Sequence, residues 1–287
     1  MAVTLVTGTS SGIGLATALH FARQGHQVWA GVRTPASATE LREAIDRERL
    51  PAQIVALDVD DAASVARGVG EVHDKAGRID VLVNNAGMGG GGPIEDVPVD
   101  WAQSLFQTNY FGVVRMIQAV LPGMRQRRQG AIVNVSSIAG RLAIAGHGHY
   151  SAVKHALEAL SETLAQEVLR FGVRVAIVEP GVVVTPIFTK ARRFADPASP
   201  YFDHVRRLLV FYQKQMPHAA QPDDAARVIY EAATTAEPRL RWTVGEDARL
   251  LVAGRKRLTD EEYVAGGREM SEAEYVAEMQ KQYGFAW

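Results

Sequence analysis

Val3-Thr-Leu-Val-Thr7-Gly8-Thr9-Ser10-Ser11-Gly12-Ile13-Gly14 decides how the chain is read. A short β-branched run passes into three glycines at the spacing G-x-x-x-G-x-G. An apolar stretch of helical period, Gly14 to Gln24, follows at once. Glycine lets the backbone turn tightly and approach a phosphate, while a helix start offers unpaired N–H groups and the positive end of the dipole. On its own, such a corner is equally a ligand-free strand–helix turn. At the first corner of an alternating fold it reads as a dinucleotide-phosphate loop.

Outward from that corner the alternation continues. Val28–Val32, Ile54–Leu57, Val81–Val83, Ala131–Val135 and Arg174–Val178 are short, nearly continuous apolar runs, the pattern of strands buried on both faces. Helical patterns lie between them at 38–48, 62–75, 101–127 and 151–170, with Gly25, Gly77, Gly130 and Gly172 where C-terminal caps are expected. The prediction is an α/β fold: one Rossmann-type, doubly wound parallel sheet with helices on both faces. Residues 1–250 form the dinucleotide-binding and catalytic domain in this reading. Within it, 186–220 carries four prolines, many aromatics and no strand pattern, and is expected to be a substrate loop or lid. A helix at 223–233 and a strand at 240–244 close the domain. Residues 251–287 read as a helical extension in which Thr259…Glu262 and Ser271…Glu274 each have capping-box spacing.

Of the 287 residues 47% are hydrophobic and 22% charged, which suits a large core. Lys plus Arg number 31 against 32 Asp plus Glu, a formal charge of -1, so nothing global invites nucleic acid. The absence of cysteine excludes disulfides, thiolate catalysis, iron–sulfur clusters and Cys-bound zinc. His147 and His149 lack a supporting ligand, so no metal is expected, and they are placed at the substrate entrance instead. The first residues lack a signal-peptide core, and no apolar run approaches the ~18 residues of a membrane span. A cytoplasmic protein is the expectation.

Tyr150 and Lys154 lie four apart at the start of a helix and share a face. Ketone reduction needs a proton donor to the developing alkoxide, and alcohol oxidation needs the matching base. A free phenol with a pKa of ~10 is a poor base at neutral pH, and a neighbouring ammonium is expected to lower that value. The second strand ends in Val32-Arg33-Thr34, with no acidic residue before Glu40. An acid there would accept from a ribose 2'-hydroxyl, whereas a guanidinium suits a 2'-phosphate. Arg33 as a plain surface residue is the competing reading. NADP(H) is the predicted preference, with NAD(H) left open.

Taken together, these segments resemble the short-chain dehydrogenase/reductase family. The resemblance runs from residue 3 to about 190, through Thr7-Gly8-x-x-x-Gly12-x-Gly14, Asp58, Asn84-Asn85-Ala86-Gly87, Asn109, Ser137, Tyr150-x-x-x-Lys154, and Pro180-Gly181 with Thr185. Within the family the chain is similar to the NADP(H)-preferring branch that holds 17-beta-hydroxysteroid and retinol dehydrogenases. The resemblance implies catalytic roles for Asn109, Ser137, Tyr150 and Lys154, with Tyr150 as acid/base and Ser137 orienting the substrate. It further implies that Asn109 kinks its helix and holds a water passing protons to Lys154. A polar helix–helix contact is the alternative for Asn109. The implied cofactor residues are Gly8, Ser10, Ser11, Gly12, Ile13 and Gly14, then Arg33, Asp58, Val59, Asn85, Ala86 and Gly87. Tyr150, Lys154, Pro180, Gly181, Val183 and Thr185 complete that set. Asp58 reads either as a helix N-cap or as acceptor for the adenine amino group, and Asn84 as a tie between strands.

The function so implied is interconversion of a secondary alcohol and a ketone on a small-molecule substrate. The aromatic wealth of 186–220 points to a bulky, apolar one of steroid, retinoid or aryl type. Gly89–Gly92 reads as a mobile stretch beside the cleft. The apolar stripe Val153, Ala156, Leu157, Leu160, Leu164 and Val168 suggests a homodimer or homotetramer paired through the long helices. The rival function is a catalytically idle dinucleotide-binding regulator or scaffold, which would be free to lose one of the four catalytic residues.

Overall fold

The computed structural model describes residues 1–237 and 239–287. In its first half β1 (Val3–Thr7), β2 (Gln27–Val32), β3 (Ala52–Ala56) and β4 (Val81–Asn84) alternate with α1 (Gly12–Arg23), α2 (Thr39–Glu48) and α3 (Ala62–Ala76). A two-residue strand, β5 (Gly90–Gly91), precedes α4 (Val99–Phe106) and α5 (Gly112–Arg127). Then come β6 (Gly130–Val135), α6 (Gly148–Val168) and β7 (Val173–Pro180). The remainder holds α7 (Ile187–Lys190), β8 (Arg192–Arg193), α8 (Phe202–Gln215), α9 (Pro222–Thr234), β9 (Arg241–Val244), α10 (Glu246–Arg255), α11 (Asp260–Ala265) and α12 (Glu272–Tyr283).

Seven strands form one parallel sheet in the order β3-β2-β1-β4-β6-β7-β9. Successive residues of β1 serve opposite faces. Val3 and Leu5 pack with α3, α5 and α6, while Val6 packs with α1 and α9. Two-sided burial is why the run reads as unbroken apolar sequence. The chain reverses its direction of winding between β1 and β4, and ligands of such sheets bind outside the carboxyl ends at that switch. Among the described residues, no helix is long and apolar enough to cross a membrane.

Several expectations are corrected. β3 is an edge strand with Gln53 and Ala56 exposed, so it is not buried on both faces. Gly130 caps no helix: Arg128 takes the left-handed conformation after α5 (φ 53), and Gly130 opens β6 with a Cβ position only 2.6 Å from Met124 Cγ. Residues 186–220 are not loop alone. The prolines at 200 and 217 bracket α8, whose Val205, Leu208 and Phe211 recur every three residues and are buried. Gly89–Gly92 is pinned rather than free, because β5 pairs with β8. A Cβ on Gly91 would lie 2.7 Å from His147, and one on Gly92 would lie 2.6 Å from Phe194. The stripe on α6 is mostly spent within its own protomer: Val153, Leu157, Leu164 and Val168 are buried, leaving only Ala156 and Leu160 partly open.

Candidate active site

The ends of β1 and β4 are stapled together at the switch. Thr7 Oγ1 accepts from the backbone N–H groups of Asn85 and Ala86, both at 3.0 Å, and Asn85 Nδ2 donates to the carbonyls of Thr7 (3.0 Å) and Gly8 (3.2 Å). Asn85 therefore shapes the loop with its own amide, a task the sequence does not reveal. Asn84 ties β4 to β6 as expected, donating to Asn134 Oδ1 at 2.9 Å. A Cβ on Gly14 would overlap the Gly8 carbonyl oxygen and the Asn85 amide, and one on Gly8 would reach 2.7 Å from Ala86 Cα. Ser11 caps α1 without a side-chain bond, and no acidic residue stands in the first turn. A cradle that only glycine fits, at an uncapped helix start, suits a pyrophosphate.

The other cofactor residues follow the same carboxyl edge. Arg33 is exposed just past β2. Asp58 is not the N-cap of α3. Asp61 holds that place and accepts from Ala63 N at 2.9 Å, whereas Asp58 Oδ1 accepts from Asp60 N at 3.1 Å. Val59 is buried against Gly112, where a Cβ would meet its Cγ2 at 2.9 Å. After β7, Gly181 N donates to Val244 O at 2.9 Å, and a Cβ on Gly12 would sit 3.2 Å from Thr185. The Val183 side chain belongs to the core, and the main chain around it pairs with Ala220 in a parallel bridge.

Ser137 and Tyr150 meet where β6 and α6 converge. Ser137 Oγ accepts from Ala139 N (3.1 Å) and donates to Pro180 O (3.4 Å), linking the β6 edge to the turn after β7. Lys154 is only 7% exposed. Its Nζ donates to Val135 O at 3.0 Å and lies 5.8 Å from the centre of the Tyr150 ring. Burial pushes the Tyr150 phenol up to about 12, with the Ser137 hydroxyl opposing the rise. This reverses the expected lowering: desolvation of the phenolate outweighs an ammonium that bonds elsewhere. Burial likewise brings Lys154 down to about 8, opposed by Glu158. His147 stacks on Tyr150 at 4.7 Å and 21°, and burial lowers it to about 4, so it is neutral at ordinary pH.

Asn109 sits in a π-helical segment, 107–111, that joins α4 to α5. This wide turn is the expected kink. Its amide is spent on one partner: Oδ1 accepts from Met88 N at 2.7 Å and Nδ2 donates to Met88 O at 2.9 Å. The side chain fixes the segment that follows Asn84–Gly87, and one of the two N–H groups of Nδ2 is left over.

Sequence reasoning missed a buried ion cluster behind these groups. Arg241 Nε lies 2.9 Å from Glu158 and 3.2 Å from Glu179, and Arg141 lies 2.8 Å from Glu179. Glu179 is 1% exposed, and burial raises the Glu158 carboxyl, eased by Ser136 and Arg241. The four residues come from the turn after β6, from α6, from β7 and from β9, which only the β6-β7-β9 order brings together, so no spacing could announce them. They tie the Ser137 loop, the Lys154 helix and the turn after β7 into one block.

The outer wall comes from 186–220. Tyr212 on α8 meets Phe188 (5.3 Å) and His147 (6.4 Å) edge-on. Other aromatics turn inward. Phe194 packs on Trp101 (5.2 Å), and Phe211 packs on Phe285 (5.7 Å) and Trp287 (6.3 Å). Trp287 Nε1 donates to Gln215 Oε1 at 2.9 Å, so the 251–287 segment lies against the back of α8.

Comparison with known proteins places this geometry. A family model described as short chain dehydrogenase matches residues 2–196. The chain is 37% identical to 3-ketodihydrosphingosine reductase of Bacteroides thetaiotaomicron, over 88% of this chain and 91% of that protein. It is 37% identical to retinol dehydrogenase 8 of Bos taurus, over 83% of this chain and 79% of that one. A solved short-chain dehydrogenase from Streptomyces avermitilis superimposes with a TM-score of 0.80 at 36% identity, covering 94% of this chain and 98% of its own.

Proposed function

The chain belongs to the short-chain dehydrogenase family of oxidoreductases acting on CH–OH groups, and on that footing we propose an NADP(H)-dependent enzyme interconverting a secondary alcohol and a ketone. The observation that carries the proposal is a protonated, partly buried Tyr150 beside Ser137 and Lys154, at the open edge beyond a cradle only glycine can line. The nicotinamide cofactor, when bound, would supply the hydride that the carbonyl carbon accepts. Tyr150 gives its phenolic proton to the carbonyl oxygen, and a group with a pKa of about 12 is fully protonated for that task. Ser137 holds the carbonyl oxygen toward Tyr150. Lys154, an ammonium below about pH 8, steadies the phenolate left behind. Asn109 holds the main chain of Met88, beyond the end of β4, on both sides. Alcohol oxidation is the same path reversed.

Gly8 to Gly14 would hold the pyrophosphate, Asp58 and Val59 the adenine, and Gly181, Val183 and Thr185 the nicotinamide end. Exposed Arg33 would pair with the 2'-phosphate that distinguishes NADP(H). The substrate is bulky and apolar. Its wall is His147, Phe188 and Tyr212, and both named relatives act, by their names, on lipid-like molecules. In this assignment 1–250 is the catalytic unit, 186–220 its lid and 251–287 an extension. Two copies pair through α5 and α6, where Val114, Leu121 and Leu160 border a groove of about 410 Å³ that lies away from the cleft. The cytoplasm is the compartment we assign to it.

The test is NADPH oxidation with ketones of increasing size, measured for wild type and Tyr150→Phe. Turnover of aryl- or steroid-sized ketones that vanishes in the variant is the expected result. A variant that still binds NADPH and retains a tenth of the rate would refute the role of Tyr150.

A further inference from the structure

The turn after β7 carries the residues assigned to the nicotinamide end, yet β7 itself ends at Pro180. What holds the turn comes from far along the chain. Asp247, in the first turn of α10, is 1% exposed, and its Oδ2 accepts from Val182 N at 2.7 Å. Its carboxylate is wedged between two glycines. A Cβ on Gly181 would overlap both carboxylate oxygens, and one on Gly245 (φ +93) would overlap Oδ1. Asp247 alone is therefore enough to require glycine at both positions.

Oδ1 is buried without a hydrogen-bond partner among the described residues. Burial raises the carboxyl, while backbone N–H groups of Val182, Ala248 and Asp247 itself hold it down. Leaving a carboxylate oxygen unpaired is costly, so the position is kept for what Oδ2 does. Val182 O in turn accepts from Ala220 N at 3.0 Å, and Pro180 O accepts from Ser137 at 3.4 Å. The Val182 amide thus adds the side-chain anchor to a turn whose main chain is held by Val244 and Ala220, between Pro180, which faces Ser137, and Thr185, which faces Gly12.

We propose that Asp247 is a positioning residue that, through the Val182 amide, fixes the turn on which the nicotinamide end of the cofactor rests. The inference deepens the dehydrogenase reading and rests on it. Asp247 touches no reacting atom in this scheme. It aligns the groups that do.

The test compares full-length wild type, Asp247→Ala, Asp247→Asn and Leu251→Ala. Leu251 is a buried residue of the same helix that packs in the cluster with Val182, Met279 and Tyr283, so its truncation loosens the same packing while leaving the Asp247–Val182 hydrogen bond in place. In cofactor-free protein, the Val182 amide should exchange at least ~10-fold faster in Asp247→Ala than in Leu251→Ala, because it alone loses its acceptor. With NADPH and a ketone, kcat should fall by ~10- to 100-fold in Asp247→Ala, the scale of a misplacement of about 1 Å, while NADPH affinity changes little. Asp247→Asn, whose carbonyl can accept the same N–H, should restore both. If Asp247→Ala does not fold, Asp247→Ser, too short to reach Val182, takes its place. Equal Val182 exchange and equal kcat loss in the Ala and Leu251 variants would overturn the proposal and leave Asp247 a packing residue. A wild type that turns over no ketone would sink the activity reading instead, with amide exchange and NADPH affinity still judging Asp247. A wild type that binds no NADPH overturns both.

Discussion

The two sides of the cleft are made in different ways. The cofactor side, from Thr7 to Gly87, is backbone against backbone: strand ends stapled by Thr7 and Asn85, with glycines where no Cβ fits. The substrate side is side chain against side chain. There Phe188 and His147 meet Tyr212 edge-on, and Phe211, Phe285 and Trp287 pack behind them. Backbone architecture tolerates one residue type at each key position, whereas packed aromatics can be exchanged for others of similar volume. The first side should therefore respond to substitution sharply and for every substrate, the second gently and according to substrate size.

The strongest break would come where the two sides meet. Tyr150→Phe removes one oxygen and leaves the stack with His147 in place, so turnover should fall at least ~100-fold while NADPH binding stays near wild type. Cofactor-binding titration beside steady-state rates checks this. A comparable loss of binding would mean that Tyr150 belongs to the cofactor side alone.

A second break lies wholly on the cofactor side. Arg33→Asp should invert the preference for NADP(H) over NAD(H), because a carboxylate repels the 2'-phosphate and accepts from a 2'-hydroxyl. A charge-assisted bond worth ~1.5–3 kcal/mol gives at least a tenfold change in the ratio of kcat/KM values. An unchanged ratio would remove the phosphate from this corner.

The same contrast explains what could be read from the chain. Gly8, Gly12, Gly14, Tyr150 and Lys154 sit at fixed short spacings because backbone geometry and one helical turn impose them, so sequence order carries their meaning. The strand–helix alternation was legible for the same reason, and the sheet order agrees with it. Asp247, Arg141, Glu179 and Arg241 were not legible. Each acts on a partner that only the β6-β7-β9 pairing delivers, 38 residues away for Arg141–Glu179 and 65 for Asp247–Val182. α8 was missed because its apolar residues were read as ligand-facing, when Phe211 in fact serves the tail.

The pH dependence sharpens the comparison next. Lys154 is lowered to about 8, so it is an ammonium below that pH and loses its proton as pH rises through it. Tyr150 at about 12 stays protonated throughout. Ketone reduction at saturating NADPH should be flat up to about pH 8 and then decline toward ~10-fold per unit as the ammonium is lost. In Lys154→Met the rate should be low and that limb absent. A wild-type profile flat to pH 10 would show that the charge on Lys154 is not used.

The gentlest expected effect tests the substrate side alone. Trp287 stacks on Phe285 at 4.8 Å and bonds Gln215, the last residue of α8, which is almost fully buried. Tyr212 stands three residues earlier on the same helix, beside Phe188 and His147. Trp287→Ala removes the donor to Gln215, the ring stacked on Phe285 and an edge-on contact of Phe211, so α8 loses its backing without losing any cleft residue. A loosening of about 1 kcal/mol at the wall corresponds to roughly fivefold in KM. That rise should appear for a steroid-sized ketone, which must lean on Tyr212, and not for a small one that reaches only Ser137 and Tyr150. NADPH affinity should stay unchanged, because the cradle at Gly8–Gly14 shares no contact with the tail. Measuring KM for both ketones in wild type and variant decides the matter. An equal rise for the two would mean that α8 supports the catalytic residues themselves, and no rise for either would mean that the tail stabilises the fold without setting the wall.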